Sequence, residues 1–331
     1  MKASSTKKNH KISLIGSGNI GGACAYLIAT KNIADVVLFD IVEGLPQGKA
    51  LDLSSAALIE GGDVSIKGTN DYSDIANSDV IIVTAGLTRS ASAIGKPFDR
   101  SELLLQNAKV ITEVAENIKK YSPNALVVVV TNPLDSMTWL MKKVSGLNRQ
   151  MVVGMAGGLD SSRFCYFLGK ELGISPQSVS STIIGEHGNT MVPLIRFSKV
   201  NDTPLDQILG KQPNGEELIN NVIQNTKKAG AEIIKLMKTS AYCAPATAAM
   251  DIALAYLNNT KKTILCSTFL EGEYGVQDLC VGVPAIIGSK GVEQIVQLEL
   301  QDNEKQEFQL SVESIQKLVT TLKNAMSTIQ P

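Results

Sequence analysis

Lys11-Ile12-Ser13-Leu14-Ile15-Gly16-Ser17-Gly18-Asn19-Ile20-Gly21 is the stretch that decides the fold of this 331-residue chain. An apolar run enters a glycine-rich turn, and a helical pattern follows with Ile20, Cys24, Leu27 and Ile28 on one face. Val36-Val37-Leu38-Phe39 then reads as a second strand ending in Asp40. Strand, glycine turn, helix, strand and acid in this order form a dinucleotide site. Gly16 permits the tight turn, Gly18 lets backbone amides approach a pyrophosphate, and Gly21 lets helix and strand pack closely. The helix N-terminus supplies partial positive charge for the phosphates. Asp40 accepts hydrogen bonds from a ribose diol and repels a phosphate there, while Ile41 offers no cation to hold one. The expected cofactor is therefore NAD rather than NADP.

The rest of the chain fits that start. Hydrophobic residues make up 44%, enough for a sizeable core in two domains or one large one. The 31 basic and 32 acidic side chains nearly cancel and are mixed along the chain, which points away from nucleic acid or membrane partners. No apolar run reaches the length of a membrane span. Residues 1–9 are polar and basic without an apolar centre, so a cytoplasmic location is expected rather than secretion. The five scattered cysteines, with no Cys-x-x-Cys pair, read as reduced thiols in such a compartment.

Strand-like runs lie at 11–15, 36–40, 80–84, 126–130 and 151–155, mostly as continuous apolar segments. A parallel sheet covered on both faces requires that pattern. Residues 101–121 form the clearest helix between them, and the unit reads as a doubly wound α/β (Rossmann) sheet. Beyond about 155 the pattern becomes mixed α+β. Helices are expected near 161–172, 216–238, 244–256 and 302–326, and strands near 179–185, 191–200, 263–267 and 279–287. The expected division is a polar tail (1–10), a dinucleotide-binding domain (11–154) and a substrate or catalytic domain (155–331).

Four groups of residues could carry chemistry. His187 is the one internal histidine and sits between glycines in Gly185-Glu186-His187-Gly188. Oxidising an alcohol with NAD requires a base for the hydroxyl proton, and imidazole titrates in the right range; the plainer reading is a histidine capping a turn. Asp160 and Arg163, three apart at a helix start, are either a cap with a surface ion pair or two working groups. In the second case Asp160 orients His187, and Arg163 grips a substrate carboxylate with its two-pronged fork. Residues 84–100 follow a strand and carry Arg89, Lys96 and Arg100 among glycines, as either a mobile lid or a solvated loop. Asn132, in Val130-Thr131-Asn132-Pro133, ends another strand, before a proline in either a cis bond or a plain turn.

Taken together, these segments resemble the lactate/malate dehydrogenase family over nearly the whole chain beyond the tail. The matching pieces are residues 15–21, Asp40, Thr84-Ala85-Gly86, Thr131-Asn132-Pro133, residues 159–163 and residues 185–188, in family order. Residues 42–50 and Ala244-Pro245-Ala246 look like the apicomplexan-type malate dehydrogenases and the lactate dehydrogenases derived from them. The resemblance implies that His187 carries the proton, Asp160 partners it and Arg100 polarises the reacting carbonyl. It implies that Arg163, Asn132, Arg89 and Phe98 meet the substrate. The implied NAD site comprises Gly16, Ser17, Gly18, Asn19, Ile20, Gly21, Asp40, Thr84, Ala85, Gly86, Asn107, Val130 and Asn132. It also implies a homo-oligomer, tetramer or dimer, acting on a small 2-oxo or 2-hydroxy acid without a metal. An NAD-dependent glycosidase and a non-catalytic NAD-sensing module are the alternatives from other classes. A glycosidase of that kind generally needs a divalent metal, and a sensor has no need of His187, Asp160, Arg163 and Arg100 together.

Arg89 and Phe98 pull the substrate reading in opposite directions. In the malate dehydrogenases this chain resembles, an arginine at the first position pairs with the second carboxylate of malate or oxaloacetate, which implies malate. Yet the loop from 85 to 100 spans sixteen positions, a length that resembles the apicomplexan lactate enzymes, and Phe98 falls where those carry a tryptophan. An aromatic ring leaves a second carboxylate unpaired, at a cost of about 3–5 kcal/mol. L-lactate dehydrogenase is the expected activity, with L-malate dehydrogenase or dual specificity as the alternative.

Overall fold

A computed structural model of the chain describes residues 9–88 and 100–329, with the side chains of 100, 101 and 326–329 outside that description. Strand β1 (Lys11–Ile15) leads into α1 (Asn19–Thr30), followed by β2 (Asp35–Phe39), α2 (Leu45–Ile59), β3 (Ile66–Thr69), β4 (Val80–Val83) and α3 (Arg100–Tyr121). Next come β5 (Leu126–Val129), α4 (Leu134–Ser145), β6 (Val152–Gly154) and α5 (Gly157–Leu172). Short strands β7 (Val179–Ser180), β8 (Ile183–Ile184), β9 (Val192–Pro193), β10 (Lys199–Val200) and β11 (Thr203–Pro204) precede α6 (Leu205–Leu209), α7 (Gly215–Met237) and α8 (Cys243–Leu257). The chain finishes with β12 (Lys262–Glu271), β13 (Gln277–Gly288), β14 (Gly291–Ile295) and α9 (Asp302–Ile329).

Among the described residues a nine-stranded sheet runs in the order β14-β13-β12-β6-β5-β4-β1-β2-β3. The six strands from β3 to β6 are parallel, the doubly wound arrangement expected from the sequence. Alternate residues divide between its faces. Ile12, Leu14, Val80, Ile82, Leu126 and Val128 pack with α1 and α8, whereas Ile15, Ile81, Val83, Val127 and Val129 pack with α3, α4 and α9. Both faces are dry, which explains the unbroken apolar runs.

The second half does not stand apart from this sheet. β12 pairs antiparallel with β6, Ser267 opposite Gly154 and Thr268 opposite Val153. A separate cluster around Phe164, Leu168, Ile183 and Val222 joins α5 to α7 beside it.

Six of these elements had no sequence expectation: α2, β3, α4, β11, α6 and β14. α2 buries Pro46, Ala50, Leu53 and Ala57 but exposes Leu51 and Leu58, so it shows no clean stripe. α4 is buried almost all round from Leu134 to Met141, which erases its periodicity. β3 is an edge strand carrying Lys67 and Gly68. Two expected strands break up. Residues 179–185 are interrupted between β7 and β8, and 191–200 are divided by a 3₁₀ turn at Ile195–Phe197. α5 begins at Gly157, before the expected 161; its first residue packs closely, since a Cβ on Gly157 would stand 2.7 Å from Leu265 Cβ.

Candidate active site

The loops after β1, β2, β4, β5 and β6 open on one edge of the sheet, where the strand order reverses between β1 and β4. Gly16 has φ +104°, and a Cβ on it would meet Ala85 N at 2.7 Å and Thr84 Oγ1 at 2.8 Å. Thr84 Oγ1 donates to Gly16 O at 2.9 Å, and Thr131 Oγ1 donates to Ala85 O at 2.6 Å. Three loops are thereby stitched into one wall. A Cβ on Gly21 would run into the Gly16 carbonyl, whereas a Cβ on Gly18 would meet nothing within 4 Å. Open space therefore lies over Gly18 at the start of α1. No side chain caps that helix, and its first turn, with Asn19 and Ile20, holds no acid, so its amides are free for an anion.

Asp40 sits one residue beyond β2. Its Oδ2 accepts from Ser17 N–H at 2.7 Å and its Oδ1 from Val42 N–H at 3.0 Å, which fixes the carboxylate with lone pairs to spare for a ribose. The Ser17 hydroxyl points to Phe39 O, so Ser17 serves the loop rather than an open face. A dinucleotide fits this cleft. Lys49, which the sequence did not single out, donates from Nζ to Gly18 O at 2.9 Å. Burial pulls its ammonium below the ordinary lysine range, with Asp40 acting in the opposite sense. Asp40→Ser is expected to weaken NADH binding by about 10- to 100-fold, the worth of hydrogen bonds to a charged group, and to narrow the preference over NADPH; fluorescence titration with both cofactors reads this.

Asn107 is fully buried. Its Oδ1 accepts from Leu87 N–H at 2.7 Å, and its Nδ2 donates to Leu87 O at 3.0 Å and Asn132 O at 2.7 Å. Its amide is spent on loops, so it shapes the cleft from behind. The Asn132-Pro133 bond is cis.

Across the cleft, α5 presents Asp160 in its first turn, where the helix field favours a carboxylate. Asp160 is 1% exposed. Its Oδ2 lies 2.8 Å from His187 Nδ1, and its Oδ1 lies 3.7 Å from Arg163 Nη1 with no hydrogen-bond donor. The carboxylate thus fixes the imidazole by Nδ1 and leaves Nε2 for a substrate. Burial works against the charged imidazole. The charge and hydrogen bond of Asp160, joined by the charge of Asp135, overcome both burial and Arg163, and His187 holds its proton above the ordinary histidine range. Burial also draws Arg163 below its usual value, against the pull of Asp160.

The loop carrying His187 is held from three sides. Gly185, at φ +91°, exchanges hydrogen bonds with Gly282 of β13. Ser311 of α9 binds Glu186 N at 2.6 Å through its Oγ. His187 N–H donates to Asp135 Oδ2 at 2.9 Å, and Ser267 Oγ donates to Asp135 Oδ1 at 2.6 Å. Asp135, Ser267 and Ser311 were missed in the sequence; an acid inside the apolar run of α4 was the available signal for the first.

His187, Arg163, Asn132, Ile20, Thr84, Gly86, Val130 and Thr131 line one cavity of about 310 Å³. α7 adds Gly230, Ala231 and Ile234, the turn before α8 adds Ser240 and Ala241, and the first turn of α8 adds Pro245; none was expected to line the site, and Gly230 and Ala231 read as helix packing. Gly230 leaves room beside the guanidinium: a Cβ there would come to 3.8 Å from Arg163 Nη1. Arg100 opens α3, with its side chain outside the described residues; Arg89 and Phe98 lie outside them altogether.

Comparison with known proteins agrees with this geometry. The family model for the lactate/malate dehydrogenase NAD binding domain matches residues 10–154, and that for the alpha/beta C-terminal domain matches residues 158–327. The structure is similar to Cryptosporidium parvum malate dehydrogenase, at 44% identity, TM-score 0.91, over 96% of this chain and 99% of that one. It is similar to C. parvum lactate dehydrogenase solved with lactic acid and nicotinamide adenine dinucleotide, at 44% identity, TM-score 0.90, over 96% and 98%. It also resembles Eimeria maxima lactate dehydrogenase solved with NADH and oxamate, at 38% identity, TM-score 0.92, over 99% and 98%. The matches to both domain models, together with relatives at 38–44% identity over nearly the whole chain, make this chain a member of the lactate/malate dehydrogenase family, an NAD-dependent oxidoreductase.

Proposed function

We propose that the chain interconverts a short 2-oxo acid and its L-2-hydroxy acid, with pyruvate and lactate ahead of oxaloacetate and malate. The observation that carries the chemistry is the shared cavity of His187, Arg163 and Asn132 beside the dinucleotide cleft. Bound NADH supplies a hydride to the carbonyl carbon. Arg163 holds the substrate carboxylate by two parallel hydrogen bonds. His187 donates its Nε2 proton to the carbonyl oxygen, and Asp160 stabilises the imidazolium beforehand. Asn132 binds the substrate, and Arg100, the first residue of α3, completes the polarisation of the carbonyl.

The preference for pyruvate rests on the sixteen-position loop and on Phe98 within it. The cavity's other walls agree: Ala231, Ile234, Ala241 and Pro245 are apolar, and among the described residues Arg163 is the one arginine or lysine lining it. Arg89 supports the malate reading, which stays second. Steady-state kinetics with pyruvate and oxaloacetate side by side test the choice. The expected result is a higher kcat/KM for pyruvate, changed less than about threefold by Arg89→Ala; a loss confined to oxaloacetate, with oxaloacetate the better substrate, makes the protein a malate enzyme.

The reading includes a homo-oligomer. Leu51, Leu58 and Ile59 of α2 and Tyr166 of α5 are more than half exposed, an apolar display that a second copy would cover. The five free thiols suit the reducing cytoplasm.

A further inference from the structure

Asp135 is 3% exposed and lies beneath the proton carrier, not beside the substrate. Its two oxygens serve the His187 N–H and the Ser267 hydroxyl. An asparagine would satisfy both partners equally well: its amide oxygen accepts from His187 N–H, and its NH₂ donates to Ser267 Oγ. A neutral amide would also escape the burial that, against these hydrogen bonds and His187, pushes the Asp135 carboxyl up to about 6. The carboxylate therefore offers one thing an amide does not, a negative charge next to the imidazole. Asp160 and Arg163 face His187 from α5, Asp135 faces it from α4, and Glu186 adjoins it on its own loop. Cys280 of β13 faces Asp135 and is itself pushed well above the thiol range by burial. With His187 protonated, Asp160 and Asp135 balance the two cations His187 and Arg163.

We propose that Asp135 is a positioning residue for His187: it fixes the backbone that aims the imidazole, and its charge works with that of Asp160 to keep the proton on the ring. This rests on the reading of His187 as the proton carrier.

The chain has two histidines, so imidazole NMR signals can be titrated directly on the protein alone, with His187→Gln assigning the pair. Asp135→Asn is expected to lower the His187 midpoint by about half a unit or more, a roughly threefold or greater loss of proton affinity. The falling limb of kcat/KM for 2-oxo acid reduction should move to lower pH in step. Tm at pH 8 should hold or rise, since a carboxyl raised on folding weakens the folded state above its titration. An unmoved midpoint, with lost activity tracking lost Tm, overturns the proposal. If the variant does not fold, Ser267→Ala answers the same question. It removes a donor that favours the charged carboxylate, so the His187 midpoint should again fall, and an unmoved value overturns the proposal there too. Failure of the dehydrogenase reading would appear separately, as no 2-oxo acid reduction by the wild-type protein.

Discussion

His187→Gln is expected to bind NADH within about twofold of the wild type and to lose turnover by about 10²–10⁴-fold, the usual contribution of a positioned general acid. Glutamine fills similar space, and its amide can donate to Asp160 Oδ2, where His187 Nδ1 now stands at 2.8 Å. It has no proton to give at neutral pH. The residues proposed to hold NAD, the glycine loop, Asp40 and Thr84–Gly86 among them, lie on the opposite wall and keep their contacts. Stopped-flow hydride transfer together with NADH fluorescence titration separates the two effects. Retained turnover would remove His187 from the mechanism. In the wild type, reduction should run best on the acid side of the His187 titration and decline as pH rises through it. The raised proton affinity of the ring places that decline above the midpoint of an ordinary histidine.

Arg163→Lys should be nearly as damaging, although it keeps the charge. A lysine is a single point charge and cannot form the two parallel bonds to a carboxylate. Arg163 is mostly buried, with a 16% exposed side chain, so the substrate carboxylate would be left poorly paired in a dry site. Disturbing such a charge pair costs about 2–5 kcal/mol, a fall in kcat/KM of roughly 30- to several-thousand-fold. NADH affinity should be unaffected. Oxamate affinity, read with the NADH complex, should fall in parallel; unchanged oxamate binding would give the carboxylate to another residue.

The sheet and the candidate residues of the cleft were readable because each depends on a local pattern. Gly16, Gly18, Gly21 and Asp40 announce a cleft by spacing, and the parallel strands by their unbroken apolar runs. His187 stood out as the only internal imidazole. Asp135 and Ser267 did not stand out, because their partners lie 52 and 132 residues away along the chain. Gly230 and Ala231 looked like ordinary helix packing until α7 was seen to pass Arg163. α2 and α4 escaped for opposite reasons, one burying too narrow a face and the other nearly all of its surface. Asn107, expected among the cofactor contacts, turns its amide wholly toward the backbone of Leu87 and Asn132.

The pairing of β12 with β6 has a mechanical meaning. Many enzymes that bind two ligands close a cleft by swinging two bodies about a hinge. Here backbone hydrogen bonds cross the seam between the nucleotide half and the acid-binding half, so the two share one stiff plate and cannot swing apart without tearing it. The loop that carries His187 is fastened to the same plate through Gly185 and Gly282 of β13, so a change in its distance from the glycine cleft means breaking backbone hydrogen bonds rather than bending a linker.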